Sequence, residues 1–123
     1  MTFHFQTVAV VVKDRRRAAK WYQQKLGFQI VFDDKEHWMQ VGDRKTGTGI
    51  HLCEARGKKG PNRSDRDTGI QITIKGDFER QAVALKKKGV TFTFGPKELP
   101  WGWVAKFLDM DGNELWLAPF ELP

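Results

Sequence analysis

The sequence predicts an α+β fold in which two βαβββ repeats form curved mixed sheets around a cleft. Three observations predict it. The order strand, helix, strand, strand, strand is legible twice along the chain. The two helix-to-strand joints match: Lys25-Leu26-Gly27-Phe28-Gln29-Ile30-Val31-Phe32 lines up with Lys87-Lys88-Gly89-Val90-Thr91-Phe92-Thr93-Phe94, the mark of a duplicated unit. Each unit offers a single helix, which covers only one face of its short sheet. The other face must be covered or used.

The first repeat spans about residues 3–54. Phe3 to Val12 is β-rich, with Val8, Val10 and Val12 on one face and Thr7, Ala9 and Val11 on the other. Asp14 stands where a helix N-cap belongs. Ala18, Ala19, Trp21, Tyr22 and Leu26 carry helical spacing, and Gly27 suits the left-handed residue that ends a helix. The helix is expected over Arg15–Lys25. Phe28, Ile30 and Phe32 alternate as in a strand, and Asp33-Asp34-Lys35 turns the chain. Trp38 to Val41 is a short strand, Gly42 to Gly49 a Gly- and Thr-rich turn, and Ile50 to Glu54 a fourth strand.

Residues 55–68 read as an exposed linker with Gly57, Gly60, Pro61 and Asn62. Its basic cluster, Arg56, Lys58, Lys59, Arg63 and Arg66, suits a solvated loop or an anion-attracting flap. The second repeat spans about residues 69–119. Ile70, Ile72 and Ile74 alternate with Gln71, Thr73 and Lys75 in a strand. Phe78, Ala82 and Leu85 share one face of a helix expected over Asp77–Lys88, with Lys86, Lys87 and Lys88 at the end that favours cations. Val90, Phe92 and Phe94 alternate, Gly95 to Pro100 reads as a turn, and Trp103 to Leu108 as a strand. Asp109 to Gly112 is a tight turn, and Glu114 to Ala118 the last strand.

Composition bounds the function. A chain of 123 residues fits a single domain, residues 1–123, and can bury a core without disulfides. The net charge is +6, but Lys and Arg are dispersed rather than gathered into a stripe, so nucleic acid is not an expected partner. The first apolar stretch, Val8 to Val12, is far too short to cross a membrane and lacks a cleavage-site pattern. Cys53 is the sole cysteine, so no intrachain disulfide forms. That suits a reducing, cytoplasmic setting.

Two motifs carry a resemblance. Asp14, Ala18, Trp21-Tyr22 and Leu26-Gly27-Phe28 form a first-helix signature. Phe107-Leu108-Asp109-Met110-Asp111-Gly112-Asn113 is similar to a Phe-x-Asp-Pro-Asp-Gly-Asn turn, with Met110 in place of the usual Pro. From about Val8 to Ala118 the chain resembles the vicinal oxygen chelate superfamily of glyoxalase I, bleomycin-resistance proteins, fosfomycin-resistance enzymes, extradiol dioxygenases and methylmalonyl-CoA epimerase. Both motifs are chiefly folding signals, because Asp and Asn bond their own backbone in a turn and Trp21 and Tyr22 suit a core. The superfamily hosts many reactions, so the chemistry has to be read on the open faces of the sheets.

The resemblance implies where a metal would bind: one ligand on the first strand of each unit and one on the last. In this sequence those places fall on Thr7, His51, Gly69 (or Gln71 with a shifted register) and Trp116. His51 alone is a convincing ligand, while a divalent metal needs three or four. No cofactor is therefore expected, with a divalent metal as the alternative. His51 is either a cleft-facing ligand-binding or acid/base group or a half-buried strand histidine bonded to the backbone. Cys53 shares its face, with nothing to orient it as a nucleophile.

The five tryptophans are the more informative signal. Trp21 and Trp38 fit packing. Trp101 and Trp103 flank Gly102, and Trp116 alternates away from Leu115 and Leu117. An aromatic-lined cleft binds flat ligands by stacking. His51, Gln71, Trp101, Trp103, Lys106, Glu114 and Trp116 are the expected ligand-binding residues. Lys106 could pair with an anionic group on the ligand, and Glu114 could offset a cation. The first functional reading is a metal-independent small-molecule-binding protein resembling bleomycin-resistance proteins, taking an aromatic or drug-like ligand. The second is a metal-dependent lyase, isomerase or dioxygenase, with His51 as catalytic candidate and Gln71, Glu114 or His4 as further ligands. A homodimer is expected from the resemblance and from the apolar surface the tryptophans leave to cover.

Overall fold

The structure is a computed structural model that describes residues 2–3, 7–36, 38–54 and 66–120. His4 and the linker residues Arg56, Lys58, Lys59 and Arg63 lie outside the described residues. The chain forms two compact units, Met1–Arg63 and Ser64–Pro123.

The first unit holds β1 (Val8–Val12), α1 (Arg15–Leu26), β2 (Gln29–Asp33), β3 (Met39–Asp43) and β4 (Thr48–Glu54). The second holds β5 (Asp67–Ile74), α2 (Phe78–Lys87), β6 (Phe92–Leu99), β7 (Gly102–Leu108) and β8 (Glu114–Pro119). The sheets are four-stranded, ordered β1-β4-β3-β2 and β5-β8-β7-β6. In each, the first and last strands pair in parallel and the other neighbours are antiparallel. Identical order and direction in both units is the βαβββ duplication seen in the sequence.

Local chemistry sets the element ends. The Asp14 carboxylate accepts from the Arg16 and Arg17 N–H groups at 3.0 and 3.1 Å, satisfying two of the donors that the start of α1 leaves free. Gly27 ends α1 at φ 69°, where a side chain would be strained. Asp77 caps α2 through Arg80 N–H at 3.0 Å. Both sheets bury their helix-facing rows. Val10, Leu52 and Val41 are fully buried with Tyr22 of α1, and Phe107, Leu115 and Leu117 are fully buried in the α2 unit. Each such side chain contributes about 1.5–3 kcal/mol.

The alternation reading needs three corrections. Gly95 to Pro100 is not a turn: β6 runs on to Leu99, and the pairing with β7 steps from Phe94–Lys106 to Lys97–Val104. Gly95 and Pro96 fall in that irregularity, where the N–H that proline lacks is not needed for the ladder. The predicted turn Gly42–Gly49 contracts, because β3 extends to Asp43 and β4 starts at Thr48. Asp67 and Thr68 belong to β5 rather than to the linker, since Asp67 pairs with Glu114.

The Asp109–Asn113 turn is a folding device. Asp109 Oδ1 accepts from the N–H groups of Asp111 and Asn113, each at 2.9 Å, and Oδ2 from Asn113 Nδ2 at 2.8 Å. Both side chains are buried.

Candidate functional site

In the second unit, Leu115 and Leu117 are fully buried, so Glu114, Trp116 and Ala118 lie on the helix-free face of β8. Pairing puts Trp116 between Gln71 of β5 and Lys106 of β7. Its indole is held on two sides. Nε1–H donates to Asp67 Oδ1 at 3.0 Å, and the Lys106 ammonium sits 4.0 Å from the ring centroid. That cation–π contact occupies one face of the ring.

Lys106 is itself engaged by two carboxylates. Its Nζ is 3.4 Å from Asp67 Oδ2 and 3.6 Å from Glu114 Oε1. Glu114 Oε2 accepts from Thr93 Oγ1 at 2.6 Å. Asp67 Oδ1 also accepts the Gly69 N–H at 2.9 Å. That backbone bond holds the Asp67 carboxyl below its usual range, helped by the Trp116 indole and Lys106. Gly69 makes the bond possible at φ 71°, inside the register shift of β5 between Asp67 and Gln71.

Beside Trp116 lies an open cavity of about 420 Å³, lined by Gln71, Thr73, Trp101, Trp103, Trp116 and Phe120 among others. Its lining includes no ionisable side chain. Trp101 is 80% exposed at its rim. Trp103 lines the cavity while sharing strand parity with the buried Ala105 and Phe107, and its ring lies 6.2 Å from Phe78 of α2. Of the expected ligand residues, Gln71, Trp101, Trp103 and Trp116 come together here. Lys106 and Glu114 are outside the lining, bound to each other and to Asp67.

His51 belongs to the first unit, on β4 between Ala9 of β1 and Gln40 of β3. Its imidazole stacks on Trp38, with centroids 3.6 Å apart and planes inclined by 13°. Burial lowers its pKa and favours the neutral ring. Gln40 is buried and donates from Nε2 to Gly47 O at 3.2 Å. Cys53 is half-buried two residues along from His51. The register also locates the implied ligand places on the first strands. Ala9, not Thr7, lies beside His51, and the Thr7 hydroxyl donates to Gly49 O at 3.0 Å. Gln71, the shifted-register alternative to Gly69, lies beside Trp116.

The strand neighbours of His51 and Trp116 differ in the donors they offer. Around His51 the strand neighbours supply a methyl group and an amide, and around Trp116 an amide and an ammonium that repels a cation. Among the described residues, no three His, Cys, Asp or Glu side chains gather into a group able to hold a metal ion.

The Glyoxalase/Bleomycin resistance protein/Dioxygenase superfamily profile matches residues 4–117. The chain belongs to that superfamily. The protein YetH of Bacillus subtilis (strain 168) is 29% identical over 112 residues, covering 87% of this chain and 90% of YetH. A superfamily member from Sphaerobacter thermophilus superposes with TM-score 0.82 at 27% identity, over 97% of this chain and 98% of its own. TnmS3, an antibiotic binding protein from Streptomyces sp. CB03234, superposes with TM-score 0.72 at 27% identity, over 98% of each chain. Superfamily members therefore share this architecture almost end to end.

Sequence reasoning missed Asp67, Thr93 and the ring contact of Trp38. Asp67 sits in a stretch that reads as linker, and it reaches Trp116 across 49 positions of sequence. No local periodicity marks such a pair.

Proposed function

We propose that this chain is a metal-independent small-molecule-binding protein that takes a flat aromatic ligand on Trp116 in the cavity of the second unit. One observation carries the reading: an aromatic-walled cavity of about 420 Å³ with the Gln71 amide and Thr73 hydroxyl as its polar groups. That volume lies within the range of small-molecule sites, which are mostly apolar with a few placed polar groups. Trp101 and Phe120 add aromatic surface beside Trp116. TnmS3, an antibiotic binding protein similar over 98% of this chain, supports a small-molecule-binding role.

Binding in this reading needs no bond-making step. The ligand leaves water for the aromatic walls, and the polar groups set its orientation. The assembly is a cytoplasmic homodimer, in keeping with the lone Cys53 and the exposed Phe32 and Trp101. The test is elemental analysis of untagged protein, before and after dialysis against zinc, nickel, manganese and iron(II). The expected result is no stoichiometric metal. Stoichiometric metal that disappears in His51→Ala would instead establish the metal-dependent lyase, isomerase or dioxygenase reading.

A further inference from the structure

We propose that Asp67 and Glu114 mask the Lys106 charge beneath Trp116, so that the cavity selects uncharged aromatic ligands over anionic ones, with Asp67 as the specificity-determining residue. The inference rests on the reading of this cavity as the ligand site.

Lys106 is the one cation in contact with the Trp116 ring among the described residues. Alone, it would draw an anionic ligand to that ring. A ligand stacked on the opposite face would lie about 7–8 Å from the ammonium, adding an ordinary stacking distance to the observed 4.0 Å. At that separation, in a partly dry pocket, one unit charge changes affinity by about tenfold or more. Here the ammonium is flanked by two carboxylates at 3.4 and 3.6 Å. The cluster of Asp67, Glu114 and Lys106 therefore carries a net charge of −1 (two carboxylates against one ammonium).

The local backbone serves this arrangement. The register shift in β5 turns Asp67 to Trp116 and Lys106, and Gly69 N–H and the indole N–H both hold its Oδ1. A single oxygen thus orients the indole while the other neutralises the lysine. Thr93 likewise fixes Glu114 on the second side. The cavity wall beyond is uncharged. A neutral planar molecule meets aromatic surface and two polar groups there, whereas an anion meets a net negative cluster across the indole, with the Lys75 ammonium 4.9 Å from the Phe120 ring centroid as the cation at the other wall.

The test uses a matched pair of probes: N-phenyl-1-naphthylamine, which is neutral, and 8-anilinonaphthalene-1-sulfonate, the same skeleton with a sulfonate. Their dissociation constants are measured for the wild type and for near-isosteric variants that step the cluster charge. Lys106→Met makes it −2, Asp67→Asn or Glu114→Gln makes it 0, and Asp67→Asn with Glu114→Gln makes it +1. The preference for the neutral probe should be about tenfold in the wild type. It should widen in Lys106→Met and shrink about 3- to 10-fold with each carboxylate neutralised. A merely structural role for these residues would weaken both probes together and leave the ratio unmoved. That result, with Trp116→Ala still weakening both probes, overturns the masking proposal and leaves the site. Affinities unchanged by Trp116→Ala overturn the site and the proposal with it. If Asp67→Asn fails to fold, Lys106→Met and Glu114→Gln carry the same comparison with opposite expected signs.

Discussion

Trp116 combines two properties: a large apolar ring on the helix-free side of a sheet, and a fixed orientation. Asp67 and Lys106 supply the second, and a pre-oriented ring loses little entropy when a ligand stacks on it. Replacing Trp116 by Ala should weaken N-phenyl-1-naphthylamine by about 1–3 kcal/mol, read by isothermal titration, the scale of a stacked contact plus its buried area. His51 makes a different prediction. Burial holds its pKa below the ordinary 6.5, so the unfolded chain takes up its proton first. Stability is then fully present above about pH 6.5 and falls as the pH drops below it toward the lowered folded value. Melting temperatures measured from about pH 7 to pH 5 should decline less steeply in His51→Gln than in the wild type. An equal slope in both would show that partial burial does not hold His51 in its neutral form. The family resemblance brought His51, Gln71 and Trp116 into view, and strand parity assigned a face to His51 and Trp116. Parity says nothing about charge partners, so Lys106 reads as a ligand anchor until Asp67 and Glu114 are seen on it.

Elements here are ended by short polar side chains, and the β7–β8 turn does so most completely. Asp109 satisfies two backbone N–H groups and the Asn113 amide from a buried position. Asp109→Ala leaves those donors without their carboxylate. It should cost about 1.5–3 kcal/mol in urea denaturation, with no change in the slope against denaturant. A cost under about 0.5 kcal/mol would mean that water replaces the carboxylate without penalty. The element order and both helices were legible because amphipathic period, Asp caps and the Gly27 terminus agree with one another. The Gly95-Pro96 pair was misleading. It carries a strong turn signal, yet an antiparallel ladder absorbs it as an irregularity once the partner strand is in place. That information resides in β7, not in the local sequence. The start of β5 was hidden for the same reason, since Asp67 becomes a strand residue only by pairing with Glu114.

At the scale of the whole molecule, duplication gives each unit a sheet with one helix, and the two copies have diverged in what they place at matching strand positions. In one, His51 lies between Ala9 and Gln40; in the other, Trp116 lies between Gln71 and Lys106. Among the described residues no helix is long and apolar enough to cross a membrane. Sedimentation at micromolar concentration should give about twice the 14.2 kDa chain mass, and a clean monomer would contradict the proposed dimer. The central claim is that ligand binding resides in Trp116 and not in a metal. The measurement that tests it most directly is titration of N-phenyl-1-naphthylamine into protein treated with a chelator, for the wild type and Trp116→Ala side by side. The account predicts saturable binding that survives chelation in the wild type and weakens about 5- to 150-fold in the variant. Binding that vanishes on chelation and returns with one equivalent of a divalent metal would contradict it.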